Sequence, residues 1–303
     1  MNSARVIVAG RELSLSNLEK VLYPETGFTK GEVIQYYSQI AAVLLPHVRN
    51  RPMTLKRYPN GVTGQFFYEK QCPSHAPSWV RSVPVRHSEG RTIDYCLVDD
   101  EATVVWLANL ASLELHVSLS MADDLATPTS VVFDLDPGPP ADIIDCCKVA
   151  LAIRGVLDHF GLTAFAKSSG NKGMQLYVPL NRPVTYDETK AFSNAVARLL
   201  ERQLPSQVVS RMAKELRRGK VFIDWSQNDE HKTTVAVYSL RARERATVSA
   251  PLAWDEIEAA ATTGDGGLVV FDAQQVLGRV QKRGDLFAPM ATLIQELPEL
   301  TAS

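Results

Sequence analysis

Two short apolar segments of this sequence carry aspartate where a buried strand would ordinarily carry another apolar residue. The first, SVVFDLDPGPP, contains Asp134 and Asp136, and the second, VFIDWSQN, contains Asp224. Because side chains alternate along a strand, Asp134 and Asp136 are predicted to share one face, with Leu135 on the other. Their Cα atoms would be about 6.7 Å apart, which is two rises of a strand. A carboxylate on a buried strand is costly without a partner, so these strands should build both the core and a site.

The spacing of Asp134 and Asp136 suits two carboxylates that share divalent ions lying about 3.5–4 Å apart. Hard oxygen ligands favour Mg²⁺ or Mn²⁺ over zinc. Two plainer interpretations remain open. The DxD pattern can simply end a strand at a turn, where Asp is common, and Asp224 can be an edge-strand residue paired with Lys220 or Arg218.

Cationic segments flank the aspartates. The turn SSGNKGMQLY could expose the backbone amides of Ser168, Ser169, Gly170 and Gly173 to a phosphate, with Lys172 adding charge. It is not a P-loop, since the GxxxxGK[ST] spacing is absent and no helix is predicted after it, and a flexible hairpin is the alternative. The other cations lie in RMAKELRRGK and KTTVAVYSLRARER. Carboxylates flanked by cations are what phosphoryl transfer requires.

The net charge of −2 over 303 residues argues by itself against a general nucleic-acid binder, but its distribution changes that conclusion. Residues 1–70 and residues 205–245 each contain nine Lys and Arg against five Asp and Glu, enough for a positive face. No segment has the ~18 apolar residues of a membrane span or the form of a signal peptide, so we expect a cytoplasmic protein. Without a CxxC pair, the four cysteines are predicted to be free, buried thiols.

The segment KRYPNGVTGQFFYEKQ interleaves basic and aromatic residues. Adjacent Phe66 and Phe67 would point to opposite faces of a strand, so one should be exposed and able to stack on a base. Phe in a core is the alternative.

The local patterns predict one compact α/β unit without repeats or a flexible linker. Ser14 or Ser16 is expected to cap a short helix that ends before Pro24, and Thr29 to cap a longer one. Further helices are expected in ADIIDCCKVALAIRGVLDHFGL, in TYDETKAFSNAVARLLERQL and in the tail from Trp254 to Leu300. We expect a single domain, 1–303, with approximate modules 1–125 and 126–303.

Taken in order, these segments resemble the polymerase domain of bacterial end-joining ligase D, within the archaeo-eukaryotic primase superfamily. The most specific pieces are KVLYP, RPMTLKRYPNG, FFYEKQ, VVFDLDPG, SSGNKG, GKVFIDWSQN, KTT and YSLRAR. The resemblance implies an α/β (α+β) fold, in which helices flank a central antiparallel-rich sheet of the RNA-recognition-motif kind beside an N-terminal α/β module. It also implies a DNA-directed nucleotidyltransferase that prefers ribonucleotides and uses Mn²⁺ or Mg²⁺ in a two-metal mechanism. Its partners would be gapped or broken DNA ends with a 5′-phosphate, nucleoside triphosphates, an end-joining ligase and a Ku-like protein, with no membrane.

The resemblance carries over to individual positions. The metal-binding and catalytic positions match Asp134, Asp136 and Asp224. The nucleotide-binding positions match Lys56, His116, Ser169, Lys172, Gln175, Arg217, Lys220, Gln227, Lys232 and Arg241. The pocket for the DNA 5′-phosphate matches Asn17, Lys20 and Lys30, and the template-stacking aromatics match Phe66 and Phe67.

One position departs from the family pattern SGxKGxHxY, since Gln175 stands where the family usually has His. Gln can donate a hydrogen bond but cannot carry a charge, so we expect a slower enzyme that retains its metal ligands. The alternatives are a non-catalytic DNA-end-binding or bridging module and a metal-dependent phosphodiesterase. The intact aspartates argue against the first, and the second does not explain the Ser169/Lys172 turn or the paired phenylalanines.

Overall fold

A computed structural model describes residues 3–87 and 90–299, and the chain divides into two compact units. Unit 1 comprises the described residues of Met1–Ser118, Thr233–Ser249 and Asp272–Asp285, and unit 2 those of Leu119–Lys232, Ala250–Phe271 and Leu286–Ser303. The chain thus leaves unit 1 and returns to it twice, whereas the modules expected from the sequence are contiguous.

The described residues contain six α-helices and eighteen strands. The helices are α1 (Lys30–Val48), α2 (Glu101–Asn109), α3 (Ile143–His159), α4 (Tyr186–Gln203), α5 (Trp254–Thr263) and α6 (Ala273–Arg283). The first nine strands are β1 (Ser3–Val8), β2 (Arg11–Ser16), β3 (Val21–Tyr23), β4 (Phe28–Thr29), β5 (Met53–Arg57), β6 (Phe67–Glu69), β7 (Ser82–Arg86), β8 (Thr92–Cys96) and β9 (Ser112–Ser118). The other nine are β10 (Ser120–Met121), β11 (Asp124–Pro128), β12 (Ser130–Pro137), β13 (Phe165–Ser168), β14 (Met174–Pro179), β15 (Val208–Val209), β16 (Val221–Asp224), β17 (Thr233–Val235) and β18 (Pro251–Leu252).

Unit 1 is built on an antiparallel sheet in the order β17-β9-β5-β8-β7, with β6 also paired to β5. Helix α1 packs against α2 and α6. As predicted, α1 is capped by Thr29, whose side chain accepts from the backbone N–H of Glu32 while the Glu32 carboxylate accepts from the Thr29 N–H. This reciprocal pair satisfies two of the amides that a helix start leaves unpaired.

Unit 2 is built on a sheet in the order β15-β16-β12-β14-β13-β18. Its pairings are antiparallel except for the parallel pair β15 and β16. Val131, Phe133 and Leu135 of β12 lie in one buried cluster with apolar residues of α3, α4 and α5. Because side chains alternate along a strand, the intervening residues of β12 lie on the opposite face of the sheet. Strand β12 therefore contributes apolar side chains to the core on one face and carries Asp134 and Asp136 on the other.

The short helix expected before Pro24 is wrong. Residues 11–16 form β2, paired to β1, and residues 21–23 form β3. Leu13 and Leu15 are both buried, so the apolar residues here repeat every two positions, as in a strand. Ser16 caps no helix, and its backbone N–H donates to the side chain of Asn109 on α2.

The prediction that all four cysteines are free is wrong for two of them. Cys72, in the loop after β6, and Cys96, at the end of β8, form a disulfide. The loop backbone brings them together, since the Cys72 N–H donates to the Asp94 carbonyl on β8, a pairing that is not visible in the sequence. Cys146 and Cys147 are free and buried in α3, as predicted.

Among residues 3–87 and 90–299, no helix is both long and apolar enough to cross a membrane.

Candidate active site

The three aspartates share one face of the unit 2 sheet. Strands β12 and β16 are antiparallel, and their register places Asp134 directly opposite Asp224. Leu135 and Ile223 are also opposite each other and belong to the buried core. The aspartates therefore lie on the other face, as the alternation predicted, with Asp136 two residues further along β12. Strand β16 has neighbours on both sides, so the edge-strand interpretation of Asp224 is wrong.

Two neutral amides hold Asp134. Gln175 is opposite Asp134 on β14, and its Nε2 donates to Oδ1 over 3.1 Å. Gln227 Nε2 lies 3.4 Å from Oδ2. The Oε1 of Gln175 accepts from Lys167 Nζ at 2.5 Å and from the Tyr177 hydroxyl at 3.3 Å. Since Lys is only a donor, this contact fixes which end of the Gln175 amide faces Asp134.

Asp224 is held by the start of the following 3-10 turn. Its Oδ1 accepts from the backbone N–H of Ser226 at 3.0 Å and from the Ser226 hydroxyl at 2.6 Å. Lys232 Nζ donates to the same hydroxyl oxygen at 2.6 Å. Lys220 does not pair with Asp224, because its Nζ donates to the carbonyl of Pro205. A lysine thus supports Asp224 through a serine and not directly.

The grouping of these carboxylates changes their acidity. Burial, and then the charge of Asp136, raises the pKa of Asp134 to about 7. Burial and the charge of Asp224 raise the pKa of Asp136. Like charges brought together in this way favour the protonated form.

The aspartates have the donor chemistry for a hard divalent cation, since all their ligand atoms are carboxylate oxygens. Among the described residues, however, no group of three or more His, Cys, Asp or Glu side chains is close enough to hold a metal ion. In the arrangement described here, the oxygens of Asp134 and Asp224 turn toward Gln175 and Ser226. The metal assignment therefore remains a prediction.

Three of the four backbone amides that the sequence suggested for the SSGNKG turn are already used within the protein. The N–H groups of Ser168 and Ser169 donate to the carbonyls of Ala250 and Gly173, and the Gly173 N–H donates to Ser169 Oγ. The turn is closed over β12, because a Cβ at Gly173 would lie 2.1 Å from the Leu135 carbonyl oxygen. Lys172 is exposed at the tip, so the turn presents charge more than amides.

Arg217 lies beside the end of β12. Its guanidinium stacks 3.7 Å from the centre of the Phe222 ring and acts to lower the pKa of Asp136. A Cβ at Gly138 would lie 2.0 Å from the Arg217 carbonyl oxygen. The glycine that follows the DxD pattern is therefore required for close approach of the Arg217 backbone.

In unit 1, three residues implied by the resemblance surround one carboxylate that the sequence reasoning missed. Glu114 on β9 lies 3.8 Å from Lys56 Nζ, 3.0 Å from His116 Nε2 and 3.4 Å from Arg241 Nε. Glu114 is 2% exposed. The signal was available, since ASLELHV is an apolar strand interrupted by an acid, the same signal that identified Asp134.

Exposed aromatics lie next to this cluster. Phe66 and Phe67 are both exposed, where only one was expected, and Tyr68 is exposed as well. Lys56 Nζ lies 4.2 Å from the centre of the Phe66 ring and 5.6 Å from that of Tyr68, within the range of cation–π contacts. Arg57 lies over the Phe67 ring at 5.1 Å.

The residues expected to bind a 5′-phosphate are held by a turn of unit 1. The Lys20 backbone N–H donates to the Asn17 carbonyl, and Lys20 Nζ donates to Asn60 Oδ1 at 3.0 Å. Lys30 is buried, and its Nζ donates to the Ser16 carbonyl at 2.6 Å. Burial, followed by the charges of Lys20 and Arg57, lowers the pKa of Lys30 to about 8. Arg57, a basic residue of the KRYPNGVTGQFFYEKQ segment, is thus a neighbouring cation that was not predicted for this pocket.

Comparison with known proteins gives the family of this chain. The family described as "LigD, primase-polymerase domain" matches residues 29–287. The chain belongs to the LigD primase-polymerase family. The resemblance found in the sequence is thereby confirmed, and the family is one of DNA-directed nucleotidyltransferases.

Several LigD relatives are similar over most of this chain. The multifunctional non-homologous end joining protein LigD of Mycolicibacterium smegmatis is 43% identical over 278 residues, covering 91% of this chain. The bifunctional non-homologous end joining protein LigD of Bacillus subtilis is 33% identical over 274 residues, covering 90%. The alignments cover 36% and 43% of those two proteins, so the chain spans well under half the length of the curated relatives it matches.

A solved LigD structure has the same fold. The polymerase domain of Mycobacterium tuberculosis ligase D, in complex with DNA, aligns with a TM-score of 0.86 at 39% identity. The alignment covers 93% of this chain and 99% of that one. The predicted archaeo-eukaryotic primase-like fold, with its antiparallel-rich sheet and flanking helices, is confirmed.

Proposed function

We propose that this LigD primase-polymerase domain adds nucleotides, preferentially ribonucleotides, to DNA ends at gaps and breaks, with Mg²⁺ or Mn²⁺ held by Asp134, Asp136 and Asp224. The observation that carries the proposal is the shared face of these aspartates, where burial and then the charge of Asp136 raise the pKa of Asp134 to about 7. Burial and mutual repulsion both destabilise ionised carboxylates, so three of them on one face indicate a functional site.

Divalent ions at this face would neutralise the charge that develops on the transferring phosphoryl group. The surrounding residues prepare the carboxylates for that use. Gln175 and Gln227 orient Asp134 with neutral hydrogen bonds, which leave its negative charge available. Ser226, itself bonded by Lys232, orients Asp224.

Proposed nucleotide-binding residues occur in each of the two units. Those of unit 2 are Ser169, Lys172, Gln175, Arg217, Lys220, Gln227 and Lys232, and those of unit 1 are Lys56, His116 and Arg241. Arg and Lys suit a triphosphate because they give charge-assisted hydrogen bonds. Ser169 contributes by closing the turn that carries Lys172.

DNA is the proposed polymeric substrate, which is supported by the structure of the Mycobacterium tuberculosis polymerase domain in complex with DNA. In unit 1, Lys20 and Lys30 would bind the 5′-phosphate, and Asn17 would hold the turn that carries Lys20. The exposed rings of Phe66 and Phe67 would stack on unpaired template bases. The proposed role is end-joining repair, together with a ligase activity and a Ku-like end-binding protein, as the names of the relatives suggest.

Nucleotide incorporation on labelled, gapped DNA with a 5′-phosphate tests this function. We expect extension of the primer strand that requires Mg²⁺ or Mn²⁺ and is faster with ribonucleotides than with deoxyribonucleotides. DNA binding without incorporation under either metal would refute the catalytic proposal and favour an end-bridging module, which Gln175 in place of the family His makes the next candidate. DNA cleavage in place of extension would indicate a phosphodiesterase.

A further inference from the structure

We propose that Glu114 is the positioning residue of a triphosphate site in unit 1, where its buried carboxylate sets the direction of Lys56, His116 and Arg241. This inference rests on the proposed function, because those three residues are its proposed nucleotide contacts. Glu114 itself would touch no phosphate, since both are negatively charged.

The contacts divide between the two carboxylate oxygens. Oε2 accepts a hydrogen bond from His116 Nε2 at 3.0 Å. Oε1 accepts from the backbone N–H of Ala242 at 3.1 Å and lies 3.4 Å from Arg241 Nε and 3.8 Å from Lys56 Nζ. Lys56 is opposite Glu114 in the register of β5 and β9. One side chain therefore connects two strands to the segment after Leu240.

The choice of nitrogen matters for what each cation can still do. Glu114 contacts the Nε of Arg241, the guanidinium nitrogen nearest the stem, so the contact orients the plane of the group. An ionised carboxylate only accepts, so His116 must carry its hydrogen on Nε2. Nδ1 is then an acceptor in the neutral ring and a donor in the charged ring.

Charge and burial are consistent with a site for an anion. The side chains of Lys56, His116 and Arg241 are each about 15% exposed, and that of Glu114 is 3% exposed. Within the cluster, one negative charge faces two permanent positive charges, so positive charge is left over. Cations confined in this way without Glu114 would repel one another and move apart. The exposed rings of Phe66 and Tyr68 also lie close to Lys56 Nζ, at 4.2 Å and 5.6 Å from the ring centres, which limits where Lys56 can move.

The test is a double-mutant cycle read out by the dissociation constant of inorganic tripolyphosphate and of a ribonucleoside triphosphate. Glu114→Gln keeps the size of the side chain and removes its charge, and we expect affinity to fall about tenfold, the scale of a charged hydrogen bond. Arg241→Gln should cause a loss of similar size. Because part of the effect of Glu114 passes through Arg241, the double variant should lose less affinity than the two single losses combined.

A split in the steady-state constants separates positioning from general damage. Glu114→Gln should raise the nucleotide KM about tenfold and change kcat less than threefold. The matched control is Glu101→Gln, which removes a carboxylate of unit 1 whose hydrogen-bond partner is Ser38, and it should leave both constants unchanged. Glu114→Asp keeps the charge but shortens its reach, so it should fall between wild type and Glu114→Gln. It also serves if the Gln variant fails to fold.

Three results would overturn the inference: wild-type or tighter tripolyphosphate binding in Glu114→Gln, additive losses in the cycle, or Glu114→Asp indistinguishable from wild type. Failure of the proposed function looks different. In that case the wild-type protein itself would bind neither tripolyphosphate nor nucleotide.

Discussion

Two carboxylates, one in each unit, respond in opposite ways to their surroundings. Asp134 in unit 2 has two further aspartates and two neutral amides around it, and its pKa is raised to about 7. Glu114 in unit 1 is also buried, which acts to raise its pKa, but His116, Arg241 and the Ala242 N–H outweigh burial and hold the pKa at about 2. At Glu114 the neighbouring positive charges outweigh burial, whereas at Asp134 burial and the other two aspartates outweigh the charge of Lys167. A site short of positive charge is suited to acquire a cation, whereas a compensated one is suited to hold its neighbours in place.

The largest effect should come from removing the uncompensated carboxylates. Asp134→Ala or Asp136→Ala should lower nucleotide incorporation about 1000-fold or more, because each removes a proposed metal ligand. DNA binding should survive, since basic residues bind phosphates. Asp158→Ala, which removes an exposed carboxylate on α3, is the control and should behave like wild type. Primer extension by both Asp134→Ala and Asp136→Ala at near wild-type rate would disprove the assignment of these aspartates as metal ligands.

The aspartate face, meaning the face of the unit 2 sheet that carries Asp134, Asp136 and Asp224, was largely predictable because the sequence patterns that indicate it are local. Alternation along one strand put Asp134 and Asp136 on one face, and the apolar run before Asp224 marked a second strand. The exact opposition of Asp134 and Asp224 depends on strand register, which is a property of the sheet and not of either segment. Glu114 could have been inferred from its apolar strand, but its cationic partners come from residues as far apart in sequence as 56 and 241. The disulfide and the closed SSGNKG turn likewise depend on contacts between segments distant in sequence.

The pH dependence of stability should distinguish the two carboxylates. The folded-state pKa of Asp134 lies above its ordinary value, so folded protein without metal takes up a proton more readily, and stability is lost as pH rises from about 4 to about 7. We expect a loss of about 3 kcal/mol in the free energy of unfolding over that window. Urea denaturation should show this slope in wild type, and a much flatter slope in Asp134→Asn.

The contribution of Glu114 to stability changes with pH in the opposite direction. Its folded-state pKa lies below the ordinary value of 4.5, so its contribution is present above that pH and is lost as pH falls toward about 2. In Glu114→Gln the decrease between pH 4.5 and 2 should therefore be smaller, while the slope between pH 4 and 7 should remain. If Asp134→Asn kept the upper slope, the raised pKa would not belong to the aspartate face.

Lys30 extends the comparison to a buried cation whose neighbours are also cations. Wild type should bind gapped DNA about tenfold more tightly when the downstream strand carries a 5′-phosphate. Lys20→Ala/Lys30→Ala should lose that preference and show a shallower dependence on salt. Lys148→Ala, an exposed lysine on α3, is the control.

This preference should also depend on pH. The pKa of Lys30 is lowered to about 8, so raising the pH above that value removes its charge and should weaken the preference. Below about 6 the phosphate itself becomes a monoanion, so the preference should be greatest between these values. Equal affinity for phosphorylated and unphosphorylated ends in wild type would refute the pocket.

The smallest effect is expected at Gln175, the residue that connects the buried Lys167 to Asp134. A neutral His at this position can accept from Lys167 with one ring nitrogen and donate to Asp134 with the other, so it can replace the contacts of Gln175 with those two residues. Any gain in kcat/KM for nucleotide in Gln175→His should therefore be no more than about tenfold, equivalent to ~1.4 kcal/mol. Gln175→Leu cannot make either contact, and it should lower kcat more than it raises KM, because Asp134 loses its orientation. Comparing both variants with wild type separates two roles. A gain much above tenfold in the His variant would mean that a charged ring acts on the triphosphate, and an unchanged kcat in the Leu variant would mean that Gln175 does not position Asp134.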